Sequence, residues 1–177
     1  MLIYLDGTRA RTLTFRPNVQ RASLEVYVDS SWLPRFSCSG ALVFFYGCLF
    51  HWFAKTQRSV SLSSAEAEYF GAMLAAREVV WLRDLLFELD LLVPGPTVVL
   101  SDSKSAVDMA FDPVAFKNTK HILRAAEFLR DLVAKGVVTL AHVKGTLMLA
   151  DIMTKAQARP VFIEMMKLLD EFNLPPE

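Results

Sequence analysis

The chain has 177 residues, enough for one domain, or one domain with a short appendage, to bury a core without staples. Its 19 Lys and Arg balance 19 Asp and Glu, which argues against the strongly basic surface of a free-standing nucleic-acid binder, but not against an enzyme held on its substrate by a neighbouring domain. An apolar share of 53% is high for a soluble monomer, so either the core is large for the length or part of the surface expects a partner.

In chain order, Leu2–Leu5 followed by Gly7 reads as the end of an earlier element, and Arg11–Arg16 as a short strand. Leu24–Val28 alternates and is rich in β-branched and aromatic residues, which predicts a strand running into Asp29. Ser37–Gly40 reads as a loop. Ala41–Tyr46 and Cys48–Ala54 form a hairpin about Gly47, and Lys55–Ser61 is a polar connection. The apolar run across that hairpin is too short to span a bilayer. Ser63 and Glu66 form a capping box that opens a long helix to about Leu89. Tyr69, Met73, Ala76, Val80 and Leu86 share one face of it, the face that packs on a sheet.

Pro94, Gly95 and Pro96 are read as stopping that helix. Thr97–Ser101 is a compact strand, buried and parallel. Lys104–Phe111 is a short helix ended by Asp112-Pro113, and Lys120–Ala134 is another, closed by Gly136. Val137–Val143 is a strand, Met148–Lys155 begins a helix, and an amphipathic helix runs from Pro160 to about Phe172. This order predicts an α/β fold, a mixed sheet with helices packed on it. Cys38 and Cys48 match no zinc spacing and read as buried thiols. Met1–Thr8 lacks a signal-peptide pattern, so an intracellular protein is expected, not a secreted one.

Three acids fall at element ends: Asp29, Asp102 and Asp151. Glu68 lies in the first turns of the long helix. Carboxylates at the ends of adjacent strands can converge, and such a group repels itself unless cations neutralise it. Hard oxygen ligands suit magnesium or manganese, and two such ions about 4 Å apart stabilise both oxygens of a phosphodiester hydrolysis. Each acid alone has a plainer reading: Asp29 and Asp102 as turn or cap residues, Asp151 as a first-turn charge, Glu66 as the cap's acid.

Ordered blocks of sequence choose between these readings. Ser61-Leu62-Ser63-Ser64-Ala65-Glu66-Ala67-Glu68-Tyr69, continuing to Trp81-Leu82, resembles the LSS-x-EAEY…WL signature of copia-type retrotransposon ribonuclease H. Val28-Asp29-Ser30-Ser31-Trp32 resembles that family's SDADW block, and Trp52, Lys55 and Gln57 its W-x-x-K-x-Q. Ser101-Asp102-Ser103-Lys104-Ser105-Ala106 resembles CDNQSA, Asn118-Thr119-Lys120-His121-Ile122 resembles RTKHI, and Leu149-Ala150-Asp151-Ile152-Met153-Thr154-Lys155 resembles LADILTK. Tyr4-Leu5-Asp6-Gly7-Thr8 looks like the YLKGT that ends the preceding reverse-transcriptase region. The blocks cover nearly the whole chain in the family's order.

The resemblance implies a ribonuclease H-like fold, a five-stranded mixed sheet flanked by helices. It implies hydrolysis of the RNA strand of RNA–DNA hybrids during reverse transcription, with two magnesium or manganese ions and no organic cofactor. The catalytic, metal-binding acids carry over to Asp29, Glu68, Asp102 and Asp151, with Asp29 expected to be shared between the ions. Glu68 is preferred to Glu66 because the superfamily pattern fits Glu68-Tyr69-Phe70-Gly71-Ala72 and Glu66 is occupied as a cap. Ser30, Ser64, Ser103 and Lys104 are candidate substrate contacts, as are Thr119, Lys120 and His121; His121 reads equally well as a structural helix-start residue. The implied partners are the hybrid and the reverse-transcriptase domain of the same polyprotein, with no membrane. The implied division is a remnant of the preceding region at residues 1–20, a ribonuclease H domain at 21–157 and a helical tail at 158–177.

The sequence departs from the family where Ser31 replaces the second acid of SDADW and where Lys144–Met148 is short and apolar. It also lacks the histidine-bearing loop of cellular ribonucleases H, and His142 reads as a packed strand residue. The alternative function is a weak or inactive domesticated domain that serves as a nucleic-acid or protein interaction module.

Overall fold

Segments rich in β-branched and aromatic residues become the strands of a single sheet. In the computed structural model, which describes residues 6, 9–10, 12–21, 23–91, 93–111 and 123–172, these are β1 (Leu24–Ser31), β2 (Cys38–Phe45), β3 (Cys48–Thr56), β4 (Thr97–Ser101) and β5 (Val138–His142). Their order is β3-β2-β1-β4-β5. β2 runs antiparallel to both β3 and β1, while β1, β4 and β5 are parallel, so the sheet is mixed as expected. Tyr46 and Gly47 both take positive φ in the turn between β2 and β3, the geometry that matches strand twist in a tight hairpin.

The described helices are α1 (Ser64–Glu88), α2 (Lys104–Phe111), α3 (Leu123–Ala134), α4 (Asp151–Thr154) and α5 (Arg159–Phe172). Alternation along β1 sends Leu24, Val26 and Val28 to one face, where they join Tyr69, Ala72 and Ala76 of α1. Tyr27 faces the other way, with Leu42 and Phe44, and meets Met148, Leu149 and Leu169. Helices thus cover both faces, which is why β1, the central strand, is buried along most of its length. The last helix supplies Met165 and Leu169 to the buried set. No helix among the described residues is long and apolar enough to cross a membrane.

Three local expectations need correction. Ser37–Gly40 is not a loop: Cys38, Ser39 and Gly40 pair with Ser31, Ser30 and Asp29 on one side and with Thr56, Lys55 and Ala54 on the other. Pairing on both sides outweighs the weak strand preference of serine and glycine. Residues 12–17 form no strand; they run exposed beside the hairpin, where the Asn18 N–H donates to the Tyr46 carbonyl at 2.8 Å. The long helix ends at Glu88, next to the expected Leu89, and Asp90 just beyond it turns left-handed at φ 58°. Cys38 is half-buried rather than buried; both thiols are free. Tyr4–Leu5, Gly7–Thr8 and Asp112–Ile122 lie outside the described residues, as do the readings made on them.

Candidate functional site

Parallel pairing of β1 with β4 brings Tyr27 opposite Leu100, so the carboxyl ends of both strands open at the same edge of the core. Asp29 lies inside β1 rather than after it, and its side chain is fully buried. Asp102 follows β4 directly. From the helix layer, Glu68 reaches the same point, and its Oε2 accepts a hydrogen bond from the Ser30 N–H at 3.1 Å. One carboxylate oxygen from each of Asp29, Glu68 and Asp102 lies within 4.8 Å of the other two. Asp151, in the first turn of α4, sits at the rim and is joined to Asp29 through Lys155.

The helix side of this cluster is fixed by backbone proximity and a polar network. Gly71 lets α1 lie against β1: a Cβ there would fall 2.3 Å from Ser30 Oγ. Gln57 is buried and donates from Nε2 to Ser39 Oγ at 2.8 Å and to the Ala67 carbonyl at 2.9 Å, while its Oε1 accepts from Ser61 Oγ. Ser39 Oγ in turn meets Ser30 Oγ at 2.9 Å. Three elements are thereby locked around the turn that carries Glu68. The cap forms in modified shape. Ser63 Oγ accepts from the Glu66 N–H, but Glu66 Oε2 accepts from the N–H of Leu62 rather than Ser63. Glu66 is therefore held in the cap, and Glu68 is the glutamate at the cluster.

Burial and repulsion shape the charges. Desolvation, with Asp29 and Asp102 nearby, pushes the Glu68 carboxyl up to about 8. Asp151 is also raised, chiefly by burial. Burial opposes the Lys155 ammonium, but hydrogen bonds to Asp151 and Asp29 outweigh it and raise its pKa above the ordinary lysine value. Its Nζ lies 3.0 Å from Asp29 Oδ1 and 2.9 Å from Asp151 Oδ1. Thr154 Oγ donates to the other Asp29 oxygen, Oδ2.

The remaining candidates divide. Ser30 is buried with its hydroxyl against Ser39 and the Gly71 backbone, so its side chain braces α1 instead of facing a ligand. Ser64 and Lys104 are exposed at the starts of α1 and α2, near the acids in sequence and free to meet a ligand. Ser103 Oγ accepts from the Ala106 N–H as a helix cap. Thr119, Lys120 and His121 lie outside the described residues. His142 is exposed, not packed, and its Nε2 lies 3.1 Å from the Asp102 carbonyl. Gly145 also borders the site: a Cβ there would stand 3.5 Å from Asp102 Oδ2. Sequence reasoning assigned no role to Thr154 or Lys155, although both stand in the block that carries Asp151, three and four positions on, where one helical turn brings side chains together.

No family model matches the chain. The retrovirus-related Pol polyprotein from transposon RE2 of Arabidopsis thaliana is 30% identical over 180 residues that cover 99% of this chain. The chain spans only 12% of that polyprotein's length. Among solved structures, LC11-RNase H1 in complex with RNA/DNA hybrid matches with a TM-score of 0.55 at 16% identity, over 75% of this chain and 94% of that one. The protease–reverse transcriptase of prototype foamy virus matches with a TM-score of 0.51 at 16% identity, over 94% of this chain and 23% of that one.

Proposed function

We propose that this relative of transposon Pol polyproteins, folded as a ribonuclease H domain, hydrolyses the RNA strand of RNA–DNA hybrids during reverse transcription of a copia-type element. The carrying observation is the meeting of Asp29, Glu68 and Asp102 within 4.8 Å, from two adjacent parallel strands and a helix that crosses them. The solved relative with a bound RNA/DNA hybrid supports the substrate class, and the foamy-virus structure supports a reverse-transcriptase neighbour as partner.

The donor set fits a hard divalent cation. All the ligands are carboxylate oxygens, and burial, with Asp29 and Asp102 nearby, raises Glu68 to about 8. Asp29, Glu68 and Asp102, with Asp151 at the rim, would hold two magnesium or manganese ions. Bound there, the ions would supply Lewis-acid stabilisation of the phosphodiester oxygens and a more acidic water. The chain's own residues do the rest. Gln57, Ser39 and the Gly71 contact hold Glu68 in place, and Ser30 N–H fixes its carboxylate. Exposed Ser64 and Lys104 flank the acids from two helix starts and are proposed to meet the hybrid backbone.

The test is cleavage of a labelled RNA–DNA hybrid beside RNA–RNA and DNA–DNA duplexes. Selective loss of the RNA strand from the hybrid is expected; equal attack on all three, or on none, refutes the assignment. A second reading, a binding module without activity, is favoured by the balanced charge and by exposed Trp32, Trp52 and Trp81, which offer surface for contacts other than phosphate. It predicts hybrid or protein binding with no cleavage under any metal.

A further inference from the structure

Asp29 is the most deeply buried of the acids, and both of its carboxylate oxygens are engaged by one short element. Thr154 Oγ donates to Oδ2, and Lys155 Nζ sits on Oδ1 while also holding Asp151. We propose that Lys155 is an internal counter-cation: it keeps the acid cluster assembled without metal and withdraws from Asp29 when a divalent cation arrives. This rests on the reading of these acids as metal ligands.

Three observations carry it. The first is charge. A carboxylate with no solvent exposure needs a compensating positive charge, and Lys155 supplies it directly to Asp29. The second is freedom of movement. Lys155 is the C-cap of α4, already in extended backbone, and its side chain is 42% exposed beside a fully buried Asp29. Its ammonium can therefore turn out to water on a flexible stem while the carboxylate stays. The third is the fixed seat of the helix. Gly40 on β2 lets α4 pack so closely that a Cβ there would stand 2.4 Å from Met153 Cβ. Met148, Leu149 and Ala150 just before it are buried. Displacement is thus a movement of one side chain, and the acids keep their places.

The consequence is a trade. Lys155 lowers repulsion in the metal-free protein and competes with the incoming ion for Asp29. Lys155 is a positioning residue on this account, since it acts through Asp29 and Asp151.

The test is manganese alone, titrated by calorimetry into the full chain as wild type, Lys155→Gln and Lys155→Ala, with thermal melting of each in chelator. Loss of a charged hydrogen bond that the ion must displace should tighten manganese binding roughly tenfold in both variants. Their metal-free melting temperatures should fall. Lys155→Arg, which keeps the charge, should bind close to wild type. A purely structural lysine would lower the melting temperature and leave manganese binding unchanged or weaker. That result in both neutral variants overturns the inference while leaving the acids as ligands. Failure of every form, wild type included, to bind manganese overturns both.

Discussion

The two halves of the site are built differently. Glu68 belongs to a helix of 25 residues, anchored by buried Gln57 and Ser39 and packed through Gly71 on the central strand. Asp151 and Thr154 belong to a helix of four residues that Lys155 caps, seated on Gly40 and tied to the acids through side chains. A long buried helix holds its carboxylate by packing that no ligand alters. A single turn holds its groups by contacts that a ligand can replace. The first half sets where the charge lies, and the second sets what neutralises it.

The largest effect expected from breaking this arrangement is at Asp102. Asp102→Asn should reduce hybrid cleavage by more than about a hundredfold, since substitutions one layer further out already cost 10–100-fold at metal sites. The fold should survive, because the change removes one of several crowded like charges. Full activity in this variant, at wild-type metal concentration, would reduce Asp102 to a turn residue.

Next comes the pH dependence of the rigid half. In the metal-free protein Glu68 titrates near 8 when folded, against an ordinary 4.5. The folded chain therefore keeps a proton that the unfolded chain releases. Stability from this group must fall as pH rises from 4.5 to about 8, and the loss is complete above that. The total is about a few kcal/mol. Urea unfolding in chelator, at one pH inside this window and one above it, should show the decline in wild type and a flatter profile in Glu68→Gln. An equal slope in the variant would assign the titration elsewhere.

The two glycines separate the halves at a smaller scale. Gly71→Ala and Gly40→Ala each overpack a close contact and should cost about 1–3 kcal/mol. The Gly71 clash is with the Ser30 hydroxyl, so Ser30→Ala in the same chain should recover part of the loss. The Gly40 clash is with Met153 Cβ, next to the backbone, so α4 itself must shift, and manganese binding should change more than stability does. Denaturation and manganese titration of the three variants check this; no recovery on adding Ser30→Ala would contradict the proposed contact. Smallest of all should be Glu66→Gln, which keeps an acceptor for the Leu62 N–H in a buried side chain of nearly the same shape and should cost no more than about 1 kcal/mol, the worth of an ordinary hydrogen bond. A large loss of cleavage in this variant would put the active glutamate two residues earlier.

Much of the scaffold was legible because its signals are local. The hairpin about Gly47, the Ser63 cap and the short helix at Lys104–Phe111 each follow from neighbouring residues. Cys38–Gly40 was illegible as strand because serine and glycine carry little strand preference of their own, and only pairing on both sides makes them one. The acids were legible through ordered blocks of sequence, whereas their convergence needed the pairing of β1 with β4. The burial of the Ser30 side chain follows from alternation, which places it on the same face as Val28, toward α1. The role of Lys155 was hidden because its partner Asp29 is 126 residues away.

These acids are proposed to serve a metal-dependent cleavage of RNA paired with DNA. The direct measurement is the rate of RNA-strand cleavage in a labelled hybrid as magnesium is titrated into the chelator-treated chain. No cleavage is expected without magnesium, then a saturable rise on adding it and loss of activity when chelator is restored. A rate that ignores magnesium, or no cleavage at any magnesium or manganese concentration, would contradict it.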